Sequence, residues 1–116
     1  MTQLSTHVLD IAHGIPAQNM RIELYIFKND TKQAMTSMIT NINGRTDLPL
    51  LQNQEMRQNT YEMHFFVAEY FQRMNKNSIP TLFDIVPIRF SISEEHQNYH
   101  IPLLISPWAY STYRGS

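Results

Sequence analysis

Alternation of apolar and polar residues with a period of two dominates the chain. It is clearest in the segments 21–28, 60–67 and 85–93, where every second residue is apolar. Because successive side chains of a strand point to opposite faces of a sheet, this pattern predicts half-buried strands. Weaker alternation predicts two more strands at 36–42 and 99–105.

One segment has a helical period instead. Apolar residues from Val67 to Met74 recur at i, i+3, i+4 and i+7, which predicts a short amphipathic helix ending near Asn77. We expect residues 3–11 to form a strand, although the pattern does not show which of its faces is buried. We expect residues 48–51 to form a second, short strand. Many strands with a single helix favour an all-β sandwich over a βαβ fold.

Pro102 interrupts the strand predicted at 99–105. Proline donates no hydrogen bond to a ladder, so it is mostly confined to edge strands, strand starts or bulges. An exposed apolar edge would invite aggregation unless another element covered it. We therefore expect 99–105 to be an edge strand that a second subunit covers.

Composition narrows the classes of function. A chain of 116 residues fits a single domain, residues 1–116. With no cysteine, disulfides, thiolate nucleophiles and cysteine-ligated zinc are excluded, and five histidines are left as candidate catalysts near neutral pH. Nine basic and ten acidic residues form no basic stripe, so nucleic acid is not an expected partner.

The hydropathy of the chain and its first residues indicate where in the cell the protein is expected. No apolar run approaches the roughly 18 residues that a membrane span needs, so no membrane partner is expected. The start, MTQLSTHVLD, lacks the charged and apolar regions of a signal peptide. We expect a soluble cytoplasmic protein, with a periplasmic location left open if the start was processed.

Four side chains are candidates for chemistry: His7, Arg45, His100 and Tyr113. Each has a simpler interpretation when taken alone, since strand histidines are usually hydrogen-bonded structural residues and arginines after turns usually face water. The C-terminal segment supports a functional interpretation of these residues. Chain ends are normally polar and frayed, yet Tyr99 to Ser116 stays apolar and aromatic, which indicates a docked tail.

Four motifs occur in a fixed order along the chain. They are LSTHVLDIAHGIPA from Leu4 to Ala17, Asn43-Gly44-Arg45, YHIPLL from Tyr99 to Leu104 and STYRGS from Ser111 to Ser116. Together they resemble the signatures of the transthyretin-like 5-hydroxyisourate hydrolases. This resemblance implies a transthyretin-like (prealbumin-like) β-sandwich with one short helix, assembled as a homotetramer that is a dimer of dimers.

The resemblance also implies an activity and a site. The family hydrolyses a ring amide of 5-hydroxyisourate, a small molecule of urate degradation, and uses neither a metal nor an organic cofactor. By the matching motifs, His7 and His100 move protons and position water, and Arg45 binds substrate and oxyanion. Tyr113 binds substrate, while Ser116 orients the water or the base through its hydroxyl or a terminal carboxylate.

Two other classes of function stay open. One is a transthyretin-like carrier without catalysis, which would lack the histidines, the arginine and the YRGS ending. The other is a structural or adhesive sandwich, which leaves the docked tail unexplained. Which of the two site histidines is the general base is undecided. His13, His64 and His96 are interpreted as surface or turn residues.

Overall fold

The computed structural model describes residues 2–74 and 80–116. Within those two ranges the chain forms nine strands, one α-helix and a 3₁₀ turn at Asn53–Glu55. The helix, α1, is Val67–Met74. The strands in chain order are β1 (Gln3–Asp10), β2 (Ile15–Pro16), β3 (Arg21–Lys28), β4 (Thr31–Ile39), β5 (Leu51–Gln52), β6 (Asn59–Phe65), β7 (Val86–Ile92), β8 (Tyr99–Ser106) and β9 (Ala109–Thr112).

The strands form two sheets. One has the order β4-β3-β6-β7 and is antiparallel throughout. The other has the order β2-β1-β8-β9, with β5 also pairing to β1. In this second sheet β1 and β8 run parallel, while the other pairs are antiparallel. The predicted all-β sandwich with one short helix is confirmed.

The core lies between the two sheets, where most of the buried side chains are apolar. In β3 the inward residues are Ile22, Leu24 and Ile26, as the alternation predicted. The face of β1, unassigned from sequence, is now clear: its even-numbered residues from Leu4 to Asp10 are buried. Its odd-numbered residues therefore lie on the outer surface of the sheet.

The expectation that Pro102 marks an edge strand is wrong. Strand β8 lies inside its sheet, with β1 on one side and β9 on the other. The ladder with β9 ends at the pair Leu103↔Thr112, and the next pairing, a single bridge, joins His100 to Gly115. Pro102 lies opposite this gap, so its missing N–H interrupts no regular stretch of ladder.

The fourth predicted strand, 36–42, begins too late. Strand β4 starts at Thr31, directly after a two-residue turn in which Asn29 and Asp30 have φ of 52° and 63°. Positive φ at both turn residues is the geometry of a tight β-hairpin, and Asn and Asp tolerate it. The polar start of β4 is exposed, so it lacks the alternation by which a half-buried strand is recognised.

Other expectations differ in detail. The short strand expected at 48–51 is β5, which comprises only Leu51 and Gln52. The predicted helix end near Asn77 lies outside the described residues. His64 is not a surface or turn residue, since it lies in β6 with its side chain only 15% exposed and its Nε2 atom 3.2 Å from Glu62. His13 and His96 do lie in turns, as expected.

A buried carboxylate joins β1 to the helix. The Asp10 side chain is fully buried and accepts hydrogen bonds from the backbone N–H groups of Ala12 and His13. Its other oxygen lies 2.6 Å from Nδ1 of His13 and accepts a bond of 2.7 Å from the Tyr70 hydroxyl. These bonds fix the chain where it leaves β1. Among the described residues no helix has the length and apolar character to span a membrane.

Candidate active site

Two neighbouring strands bring the predicted histidines together. In the parallel ladder of β1 with β8, Ser5 pairs with His100 and His7 pairs with Pro102. All four are on the outer face of the sheet, since the residues between them point into the core. Residues that are far apart in sequence are therefore close in space. Because side chains alternate between the two faces of a strand, only every second residue of β1 and β8 can belong to this cluster.

Arg45 reaches the cluster from the loop after β4. Asn41 closes this turn, because its side-chain oxygen accepts hydrogen bonds from the backbone N–H groups of Asn43 and Arg45. The Gly44 carbonyl then accepts a 2.8 Å bond from the N–H of Val8. Gly44 has φ of +73°, and a Cβ there would lie 2.4 Å from the Val8 carbonyl oxygen, so the turn requires glycine.

Each histidine has one polar partner on Nδ1. Arg45 Nη2 donates to Nδ1 of His7 at 3.2 Å. The Ser5 hydroxyl oxygen lies 2.9 Å from Nδ1 of His100. These are two separate pairs on the same outer face of the sheet. The charge of Arg45 acts on both imidazoles.

Both rings are held in the neutral form near pH 7. Burial lowers the pKa of His7, the charge of Arg45 lowers it further, and a hydrogen bond with the backbone of Asn43 partly offsets these effects. Burial also lowers the pKa of His100, followed by the charges of Arg45 and His7, against a raising interaction with the backbone of Ser5. A neutral imidazole accepts protons, so either ring has the protonation state of a base.

The tail crosses this cluster, as the docked-tail prediction requires. The N–H of Gly115 donates to the His100 carbonyl at 2.7 Å. A Cβ on Gly115 would lie 2.6 Å from Cδ2 of the His100 ring and 3.2 Å from Cγ of Pro102. Glycine is thus needed for close approach, because the backbone passes the Cγ–Cδ2 edge of the His100 ring. Ser116 follows directly and is exposed.

Tyr113 is not brought into the cluster. Its side chain is 59% exposed. With Arg114 it lines a different cavity of about 290 Å³, whose apolar walls come from β7 and β8. Within one chain, therefore, the structure brings together His7, Arg45 and His100, places the tail beside them, and leaves Tyr113 apart.

A polar cavity of about 250 Å³ adjoins Arg45. Its lining includes Ser5, Thr46 and Asp47, three residues that sequence reasoning missed. Ser5 could have been predicted from the sequence, since it lies two residues before His7 and so shares its strand face. Thr46 and Asp47 follow Arg45 in an irregular loop, where no periodic pattern indicates which side chains face the site. In the described part of the chain no group of three or more His, Asp or Glu side chains is arranged to hold a metal ion.

The fold and the site together define a class: a two-sheet β-sandwich whose outer surface carries a solvent-facing cluster of two neutral imidazoles and a guanidinium. The family can be named from the whole sequence. The model of the HIUase/Transthyretin family matches residues 4–115, so the chain belongs to this family.

Individual relatives agree with this assignment. The 5-hydroxyisourate hydrolase of Deinococcus radiodurans is 44% identical over 113 residues, which cover 97% of this chain and 95% of that protein. The structure of Klebsiella pneumoniae 5-hydroxyisourate hydrolase matches with a TM-score of 0.82 at 30% identity, covering 100% of both chains. Transthyretin from Sparus aurata matches with a TM-score of 0.86 at 23% identity, covering 99% of this chain and 97% of that one. The last likeness shows the fold alone.

Proposed function

We propose that this protein is a hydrolase that converts 5-hydroxyisourate to 2-oxo-4-hydroxy-4-carboxy-5-ureidoimidazoline in purine degradation. Water adds to a ring carbonyl, the ring C–N bond breaks, a carboxylate forms and the departing nitrogen takes a proton. The observation that carries the proposal is the outer-face cluster of His7, His100 and Arg45, in a chain 44% identical to a protein named for this activity.

The cluster suits each step of this hydrolysis. A neutral imidazole takes the proton of the attacking water near pH 7, and such a group typically contributes about 10²–10⁴-fold to the rate. The guanidinium of Arg45 stays charged at any relevant pH and offers a planar fork of donors. It can bind the carbonyl of the substrate and stabilise the oxyanion that develops when water attacks.

A decay assay tests the activity directly. Fresh 5-hydroxyisourate, made by enzymatic oxidation of urate, is followed by its ultraviolet absorbance with and without the protein. The variants His7→Ala, Arg45→Ala and His100→Ala are each expected to lower kcat/KM by roughly 10²-fold or more. His96→Ala, which changes an exposed turn outside the cluster, is the matched control. Decay at the spontaneous rate in the presence of the wild-type protein would refute the proposal.

The same assay separates the enzyme from a carrier. A carrier of the same fold would bind 5-hydroxyisourate or an analogue without changing its rate of decay. The likeness to transthyretin supports only the shared sandwich, whereas His7, Arg45 and His100 supply the proton acceptor and the cation that hydrolysis requires. We therefore prefer the hydrolase.

We propose that the working form is a homotetramer, a dimer of dimers. Support comes from apolar surface that one chain leaves open: Trp108, in the turn before β9, and Tyr110, in β9, are 52% and 41% exposed. Exposed aromatic patches of this kind mark interaction surfaces. Light scattering at assay concentration is expected to give four chains, and a fully active monomer would contradict this.

Assembly gives Tyr113 and Ser116 their proposed roles. Tyr113 is away from its own chain's histidines, so we propose that it binds substrate at a site shared with another subunit. Ser116 is proposed to orient the water beside His100, because Gly115 directly precedes it there. Co-expressing His100→Ala chains with Tyr113→Ala chains is expected to restore activity that neither variant has alone. Mixed assemblies without such recovery would place Tyr113 in its own chain's site or in none.

A further inference from the structure

We infer that Ser5 is a positioning residue that fixes the tautomer of His100, so that Nε2 of His100 is the general base. The inference rests on the proposed hydrolase and deepens it, because it assigns different roles to two histidines that look equivalent from sequence. It is carried by the different partners that the two rings have on Nδ1.

At His100 the partner of Nδ1 is the hydroxyl group of Ser5, whose oxygen can accept a hydrogen bond. The Ser5 hydroxyl oxygen is 2.9 Å away from Nδ1. A neutral imidazole has one N–H and one lone pair. With the N–H on Nδ1 and directed at Ser5, the lone pair is on Nε2, the nitrogen bonded to the ring carbon Cδ2 that faces Gly115.

At His7 the partner is a permanent donor. A guanidinium has only N–H groups to offer, so the 3.2 Å contact from Arg45 Nη2 must be accepted by the lone pair of Nδ1. The proton of the neutral ring is then on Nε2. His7 has its lone pair engaged by Arg45, so it holds the arginine rather than takes a proton.

Strand geometry explains why Ser5 can fix the ring. Ser5 and His100 are directly paired in the parallel ladder, and both point to the outer face. Backbone pairing on the β1 side and Gly115 against the ring edge leave the imidazole little freedom to turn. Groups that orient a base through its second nitrogen are known to set tautomer and basicity in other sites.

A measurement on the resting protein tests the tautomer without any catalysis. In protein with ¹⁵N-labelled histidine, two-bond ¹⁵N–¹H correlations at pH 7.5 report which ring nitrogen carries the proton. We expect Nδ1–H for His100 and Nε2–H for His7. In Ser5→Ala the Nε2–H form of His100 is expected to appear, whereas Ser5→Thr, which keeps a hydroxyl in a strand, is expected to retain the wild-type signals. Nε2–H on His100 in the wild-type protein would overturn the inference.

Kinetics tests the consequence. Ser5→Ala is expected to lower kcat about tenfold with KM unchanged, since the lost hydrogen bond is to His100 and not to substrate. Ser5→Thr is expected to recover most of kcat. Ser37→Ala is the matched control, because it removes an exposed hydroxyl from β4 of the other sheet. A raised KM with unchanged kcat would make Ser5 a substrate-binding residue and would overturn its positioning role.

The two tests separate this inference from the proposed function. If the wild-type protein leaves 5-hydroxyisourate decay unchanged, the hydrolase proposal fails, whatever the tautomers are. If the wild-type protein is active and Ser5→Ala matches it in kcat and in its histidine correlations, the hydrolase proposal is retained and the role of Ser5 is refuted.

Discussion

Replacing Gly115 with alanine perturbs the tail where it touches His100. The added Cβ would lie 2.6 Å from the ring carbon Cδ2, closer than side-chain carbons approach other atoms, and the ring is held from its other side by Ser5. The tail must therefore shift, which weakens the 2.7 Å hydrogen bond from the Gly115 N–H to the His100 carbonyl. A neutral hydrogen bond contributes about 0.5–1.5 kcal/mol, so the docked population falls by a factor of about 2 to 13.

Displacement of the tail lowers activity further, beyond the loss of docked population. A shift of about 1 Å in a positioning group can cost about 10²-fold in rate. Between these limits we expect Gly115→Ala to lower kcat/KM by about tenfold or more in the 5-hydroxyisourate decay assay. Thermal stability is expected to change little, because Gly115 makes one isolated bridge and belongs to neither sheet ladder.

The chain offers a control for this substitution. Gly14 also has a backbone that favours glycine, with φ of +71°, but a Cβ there would meet nothing within 4 Å. Gly14→Ala is therefore expected to cost some stability through backbone strain while leaving kcat/KM unchanged. Wild-type kcat/KM in folded Gly115→Ala would show that the position of the tail beside His100 has no part in catalysis.

Three further outcomes are expected. Tyr70→Phe should lower the free energy of unfolding by about 1.5–3 kcal/mol, because it removes a hydrogen bond to the buried Asp10 carboxylate. Urea unfolding at fixed protein concentration measures this free energy, and kcat/KM is expected to stay unchanged. Arg45→Met removes a charge that lowers both site-histidine pKa values, so both should rise in an NMR titration; unchanged values would exclude that electrostatic coupling. Trp108→Ser should increase the monomer fraction in sedimentation without loss of secondary structure, if this exposed ring lies between subunits.

Side-chain periodicity made most of the fold predictable. The apolar alternation at 21–28 corresponds directly to β3, because a strand buried on one face must repeat every two residues. The same rule places Ser5 and His7 on one face of β1. The prediction was wrong where a strand has no buried face to reveal it, as at the exposed start of β4.

Pro102 shows a different limit. The rule that proline avoids ladders is sound, but it refers to individual hydrogen bonds rather than to whole strands. Strand β8 has neighbours on both sides and still accommodates proline, because the chain after β9 leaves the ladder at Tyr113 and returns at Gly115. Predicting this would require knowing the path of the tail, which follows from tertiary contacts. The partners of His7 and His100 on Nδ1 were hidden for the same reason.

The choice between hydrolase and carrier depends on only a few outward-facing positions. The inward residues of β1 and β8 hold the sandwich together and are compatible with either function, so a likeness in fold cannot distinguish the two. The outward positions Ser5, His7 and His100 add nothing to the core, and His7 and His100 lose solvation there, which lowers both pKa values. A binding surface has no evident use for two neutral imidazoles beside the guanidinium of Arg45. Water attack on a carbonyl, in contrast, needs a base and a cation together. The arrangement is therefore best explained by catalysis.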